Sequence, residues 1–543
     1  MRRSRRVLLL EPGYRNKYPP LGLMKLAAYH RGRGDDVVFS KGEAVRALFL
    51  DQWDRVYVTT LFSFEWKRTA RTIDAAIRAA GNQPERVFVG GIAASLMHED
   101  FLAEPRWAGV RFIKGLLDGP PARALQLRPD DYEFGADDLN GPPIEELVPD
   151  YSILDQIDYE YPVRDAYFGY ASRGCVRKCS FCGVPKLEGA QREMPPLASL
   201  VKGVDATHGP KKDLVLMDNN ITASARYQDV IAEIRDLGFE RGAKLRRGSR
   251  PVKRRVDFNQ GVDARILVKS PMFLREMATV CISPLRIAFD HVGLRKVYDK
   301  AVRMAAHNGI RSLSNYMLYN FMDSPADLHA RMRLNIALNE ELGVRIWSFP
   351  MRYQPVTLKD RSHVGRKWNR YYLRSFQIML QATRGVVSGN PSFFNHAYGS
   401  DEEEFERLLG LPHAFIFHRE HYEGSPEREE YEKLRSGLSE SQEQEFLAIL
   451  GSPTGEREMR VQCATLANDR TVDRAIRQLL PFHGLNIKTA TSTGVLPLFA
   501  GLNPDPVLPS EEEFVEDAGL FGHEDAAVRP AVEGTTQRVL RGT

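Results

Sequence analysis

Three of the chain's five cysteines, Cys175, Cys179 and Cys182, fall within eight residues of the stretch SRGCVRKCSFCGVPK (172–186). The other two, Cys281 and Cys463, stand alone. In a reducing compartment, thiols so closely grouped suggest a metal site or thiol chemistry rather than a disulfide framework. Gaps of three and two residues let one loop wrap one side of a compact metal centre. A structural zinc ion takes four ligands, and no further Cys or His stands nearby in sequence. An iron–sulfur cluster also takes cysteine thiolates, and a three-cysteine loop would leave one iron open to another ligand. Zinc and ordinary reduced cysteines are the alternatives at this point.

The elements that must carry this loop are β-rich runs alternating with helical stretches. From about residue 166, AYFGYAS, DLVLMDNN, RVDFNQGVDAR, PLRIAFDH, SLSNYMLYNF and VRIWSFPMRY are six strand candidates. The turns DLGF, HNGI and ELGV between them each show a helix, a glycine and an apolar entry. Ser270-Pro271 and Ser324-Pro325 give helix starts, a capping residue followed by proline. Val230, Ile231, Ile234 and Leu237 form one apolar face at helical spacing. Six βα units imply a partial (β/α)6 barrel with its chemistry at the strand C-termini. The cysteine loop follows the first of these strands, so it belongs at that mouth.

The first 120 residues repeat the alternation: RVLLLEP, DVVFS, RVYVTTLF, RVFVGGI and VRFIKG, with helices between. This predicts a doubly wound parallel sheet, Rossmann-like, in an α/β chain. Ligands in such sheets lie beyond the strands' carboxyl ends, where Thr59, Thr60, Gly90 and Gly91 fall. Residues 121–165, rich in Pro, Asp and Gly, read as a linker or covering segment. After the barrel (166–388) come polar amphipathic helices (389–490), a helical C-terminal extension. The acidic, Pro-rich tail (491–543) reads as disordered.

At 543 residues, 43% hydrophobic and 27% charged, the composition is that of a globular protein of two to four domains. No run approaches the roughly 18 apolar residues of a membrane span. The start MRRSRRVLLLEPGY resembles an export signal, but its apolar run ends at Leu10 and Glu11 follows, which points to a strand and a cytoplasmic protein. The stretch 240–255 carries +7 of a net +4, leaving the rest slightly acidic. Such a loop can hold a phosphate backbone. A solvated insertion is the other account, since no aromatic residue interleaves.

The motif Cys175-x₃-Cys179-x₂-Cys182, with Phe181 before the third cysteine and six βα units behind it, resembles the radical SAM superfamily. The resemblance implies three thiolates holding a [4Fe–4S] cluster whose open iron binds S-adenosylmethionine. Reductive cleavage of SAM then gives a 5′-deoxyadenosyl radical. It further implies SAM contacts from Asp218, Asn219 and Asn220 after the second strand, Asn259 and Gln260 after the third, and Asp290 after the fourth. The usual Gly-Gly-Glu is absent. Arg173, Arg177 and Lys178 would put positive charge beside the cluster. The sheet ahead of the barrel, with YPPLGLMKLAAYHRGRGDDVV and RVFVGGIAASL, resembles the cobalamin-binding class of these enzymes, many of them uncharacterised. Asp-x-His-x-x-Gly is missing, so a corrin near Thr59, Thr60, Gly90 and Gly91 would be base-off; a domain kept for packing is the alternative. Implied partners are a small-molecule or peptide substrate and an electron donor such as flavodoxin or ferredoxin. Methyl transfer leads; modification of a nucleic acid and a non-catalytic iron–sulfur or zinc scaffold are the other readings. Trp368, Tyr371, Tyr372 and Phe376 either wall a substrate cavity or form a buried helix face.

Overall fold

The computed structural model describes residues 4–42, 53–131, 136–381 and 385–485. The tail expected at 491–543 lies outside the described residues.

The N-terminal sheet contains β1 (Arg6–Glu11), β2 (Asp36–Lys41), β3 (Arg55–Thr60), β4 (Val87–Gly91) and β5 (Arg111–Phe112). All pair in parallel, in the order β2-β1-β3-β4-β5. The run VLLL lacks alternation because both faces are covered. Val7 and Leu9 join the core that includes Met24 and Ala27 of helix α1 (Leu21–Arg31). Leu8 and Leu10 face the other way, into a core with Ile73 and Ala76 of α2 (Trp66–Ala79).

The barrel strands are β6 (Ala166–Gly169), β7 (Asp213–Leu216), β8 (Val256–Phe258), β9 (Leu285–Arg286), β10 (Ser312–Tyr319) and β11 (Arg345–Arg352). Parallel ladders join β6–β7–β8 and β9–β10–β11, and parallel bridges Val256–Ile282 and Val262–Ile287 connect the two halves. The six strands therefore follow chain order around an open barrel. Ser324 caps the long helix 325–342 through a reciprocal box with Asp327, and Gly343 ends it at φ 59°.

Residues 144–165 cover the seam between sheet and barrel: Tyr151, Ile153 and Leu154 are buried, and Asp150 binds Arg31 at 2.6 Å. Beyond the barrel, helices from 391 to 483 pack on helices 325–342 and 370–381. Of the aromatic residues after β11, Tyr371 and Phe376 belong to a buried face, and the mostly buried Trp368 also borders a cavity of about 480 Å³. Tyr371 donates to the Leu411 carbonyl, and Phe376 packs against Tyr319 and Phe405. The basic stretch is an exposed antiparallel hairpin, 244–247 against 250–253, ahead of β8 and so at the barrel's N-terminal end. Among the described residues, no helix is long and apolar enough to cross a membrane.

Candidate functional site

The cysteine loop leaves β6 through a turn that the rest of the barrel holds tightly. Asp218, fully buried just past β7, accepts from the peptide N–H of Ala171 (3.0 Å) and of Ser172 (2.5 Å) and from the Ser172 hydroxyl (2.7 Å). Gly174 follows at φ +77°, where a Cβ would collide with the Ala190 carbonyl. Glu188 accepts from Gly174 N–H at 2.8 Å, from Arg173 and from the Asn219 amide. Arg177 pairs with Asp263 at 2.7 Å, fastening the middle of the loop to the exit of β8.

All three thiols are half-buried. The peptide N–H of Arg177 points to Cys175 Sγ at 3.4 Å, and that of Val184 to Cys182 Sγ at 3.5 Å. Burial pushes the Cys179 and Cys182 thiols up, with Asp290 adding to the rise at Cys179, so neither is a ready nucleophile. A metal would have to deprotonate them. Among the described residues, no three His, Cys, Asp or Glu side chains converge on a point that would hold a single metal ion. The donor set is three soft thiols on one loop, with peptide N–H groups aimed at two of the sulfurs and no fourth thiol beside them. It fits a cluster whose irons are separately ligated better than one zinc ion.

The other residues singled out from the sequence divide sharply. Asp218 spends both carboxylate oxygens on holding the loop, and Asn219 donates its amide nitrogen to the Gly174 carbonyl and to Glu188. Burial, with no cation in contact, pushes Asp218 up to about 6. Asn220 is buried and accepts from Thr222 at 2.7 Å, but its amide nitrogen has no partner. Asn259 accepts from Tyr18 at 2.6 Å, a residue of the N-terminal domain. Gln260 is exposed. Asp290 stands nearest to the expectation. It faces Cys179, Arg265, Asp263 and Arg331, and burial pushes it up to about 6 against the pull of the two arginines. Phe181 meets Phe321 edge-on at 5.8 Å. Arg173 brings no net charge to the thiols, since Glu188 (2.9 Å) and Glu145 (3.1 Å) neutralise it.

At the N-terminal sheet, the residues expected to meet a corrin serve the fold. The Thr60 hydroxyl donates to the Gly90 carbonyl (2.9 Å) and accepts from Ala94 N–H (2.8 Å). Gly91, at φ +102°, is glycine because a Cβ would fall on the Thr60 backbone. Gly90 makes only ordinary contact with Ile113, and Thr59 is half-buried. Of the four, Thr60 is buried in the sheet edge, Thr59 and Gly90 are half-buried, and Gly91 is exposed. The edge they occupy nevertheless meets the cysteine loop: helix 92–96 packs on helix 184–187, and Leu96 lies against Gly183. The opposite end of the barrel opens a cavity of about 340 Å³ lined by Tyr18, Asp213, Arg255, Arg286 and Trp347.

The fold has relatives among solved structures. TsrM from Kitasatospora setae, a radical S-adenosylmethionine methyltransferase solved with cobalamin and a [4Fe–4S] cluster, is 17% identical, covering 66% of this chain and 78% of its own, with a TM-score of 0.41. With tryptophan substrate and the SAM analogue aza-SAM, the same enzyme matches at 15% identity, 70% and 77% coverage and a TM-score of 0.43. OxsB, a cobalamin-dependent S-adenosylmethionine radical enzyme, matches at 11% identity over 88% of this chain and 74% of its own, with a TM-score of 0.39. At these identities the likeness is one of fold. No family model and no curated protein matches the chain.

Proposed function

We propose that the chain is a radical SAM enzyme. The observation that carries this reading is the isolated triad Cys175, Cys179 and Cys182, fastened over the C-terminal mouth of a six-strand barrel with peptide N–H groups turned to two of its sulfurs. When bound there, a [4Fe–4S] cluster would supply the electron that splits the sulfonium of SAM. The protein's own part is positional. Asp218, Glu188 and Asn219 hold the loop's entry, and Asp263 holds its middle. Asp290 offers a carboxyl group to hydroxyls of SAM. Val176 and Met322, exposed on loops, and Val292, exposed at the start of a short 3-10 helix, give this mouth an apolar rim suited to a small-molecule or peptide substrate.

Within that class the reaction we favour is methyl transfer, supported by the packing of the N-terminal sheet's carboxyl edge against the cysteine loop. No step is assigned to cobalamin. Hydroxocobalamin retained through gel filtration at about one per chain would establish it. A flavodoxin- or ferredoxin-type donor in the cytoplasm fits the need for a reductant. Anaerobic reconstitution with iron and sulfide, followed by electron paramagnetic resonance with and without SAM, tests the class. A signal that shifts on adding SAM is the expected result; a signal that ignores SAM, or zinc in place of iron, overturns it.

A further inference from the structure

Two arginines lie at the seam between the N-terminal sheet and the barrel mouth with no acid in contact. Arg352 ends β11, and Arg361 sits in the loop that follows. Arg352 Nη2 donates to the carbonyls of Arg361 (3.0 Å) and His363 (3.2 Å), which leaves its Nε buried without a partner. The Arg361 guanidinium lies 3.9 Å from the centre of the Phe64 ring, and its Nη2 is likewise buried and unpartnered. Two residues past Arg352, both polar atoms of the Gln354 amide are buried without partners.

The charges around the pair do not balance it. Arg361 faces Arg352, Tyr319 and, as its one acid, Glu65, which is itself paired with Arg68 at 3.5 Å. Arg352 faces Tyr319 and Arg370. Burial first, and Arg352 second, lower Arg361 to about 10. Both side chains are half-buried, and half-buried like charges with inaccessible, unpartnered N–H groups gain from an anion that neutralises them. The guanidinium fork matches planar or tetrahedral oxyanions in two-pronged fashion. The place is also informative: Phe321 touches Phe181 of the cysteine loop at 5.8 Å and Tyr353, next to Arg352, at 4.7 Å.

We propose that Arg352 and Arg361, with Gln354, form a binding site for the oxyanion of a small molecule, a carboxylate or a phosphate, between Phe64 and the barrel mouth. The site stands whether or not the thiols carry a cluster, so its test uses the full chain without iron. Inorganic phosphate and benzoate are the probes, each against sodium chloride at equal ionic strength, read by melting temperature and by titration calorimetry. At least one probe should bind and stabilise the wild type; phosphate alone or benzoate alone identifies the source. Arg361→Lys, which keeps the charge and loses the fork, should bind about tenfold to a hundredfold more weakly. Ligand-free Arg361→Met should melt no lower than wild type, because a repulsion is removed. No binding of either probe, undiminished binding by Arg361→Lys, or a lower melting temperature for ligand-free Arg361→Met overturns the proposal.

Discussion

Arg177 and Asp263 form a 2.7 Å ion pair that ties the centre of the cysteine loop to the segment leaving β8. Asp263 also caps helix 264–267 through Arg265 N–H and takes the Arg265 guanidinium. Burial raises its carboxyl, but hydrogen bonds from Arg265 and then Arg177 outweigh it and hold the group below the usual range. A depressed acid stabilises the fold above its ordinary pKa and loses that contribution as pH falls through the lower folded value. Asp263→Asn should cost about 1–2 kcal/mol by loss of the cap and the half-exposed pair. The loosened loop should also hold less iron after reconstitution. Denaturant midpoint and iron per chain read both; no change in either would contradict the anchoring role.

The cysteines separate cleanly. Replacing Cys175, Cys179 or Cys182 with Ala should remove the brown chromophore and SAM cleavage together. Cys281 and Cys463, whose thiols burial pushes up to about 12, should be dispensable for both. Buried Cys463→Ala should cost about 1 kcal/mol of packing. Normal 5′-deoxyadenosine production by Cys179→Ala would end the assignment.

What could be read in advance was whatever repeats locally. The strand runs, the helix starts at Ser324 and the three thiols all announce themselves within a few residues, and the structure contains each of them. The use made of Asp218 did not, because its partners Ala171 and Ser172 come from the turn after β6, more than 40 residues earlier. Position at a strand end says that a carboxylate is near the mouth, not whether it faces ligand or backbone. Arg173 fails for the same reason: its partner Glu145 lies in the covering segment, 28 residues upstream. The close approach of Gly91 to Thr60 is likewise a pairing of two strands that no local stretch announces.

Asp218 also carries a pH signature. Its carboxyl is raised from 3.8 to about 6 by burial. A raised acid binds more protons folded than unfolded, so its contribution is full below pH 3.8 and falls as pH rises through about 6. The difference amounts to roughly 3 kcal/mol across that window. Asp218→Asn should flatten the dependence. It should also destabilise at every pH by about 2 kcal/mol, since an amide offers one acceptor to the N–H groups of Ala171 and Ser172. Urea midpoints from pH 4 to 7 measure both effects, and parallel curves for the two proteins would rule out the assignment.

The glycine pair at the sheet edge should respond unequally, with no ligand involved. Gly91→Ala forces a side chain into φ +102° and onto the Thr60 backbone, so a loss of about 2–3 kcal/mol is expected. Gly90→Ala meets only Ile113 Cβ at 3.7 Å and should be tolerated within about 1 kcal/mol. Melting curves of the two variants decide it. Any corrin-binding test should accordingly use Gly90, since a Gly91 variant could fail through misfolding alone.

The basic hairpin lies at the barrel's N-terminal end, away from the thiols, yet its cations are not equivalent. Arg254 stacks 3.7 Å from the Phe239 ring centre and donates to the carbonyls of Lys211, Lys212 and Gly238, tying the hairpin's base to the barrel. Arg247 binds Asp165 at 2.5 Å. Lys244, Arg246, Arg250 and Lys253 are exposed along the hairpin itself. Replacing Arg246, Arg250 and Lys253 together with Gln should therefore leave stability within about 0.5 kcal/mol and dithionite-driven SAM cleavage intact. Retention on heparin should weaken. Arg254→Ala should instead lose about 2 kcal/mol, because three carbonyls and a ring lose one partner. If the triple variant lost SAM cleavage while melting normally, the hairpin would have to act on the distant thiol loop, and its separation from the chemistry would be wrong.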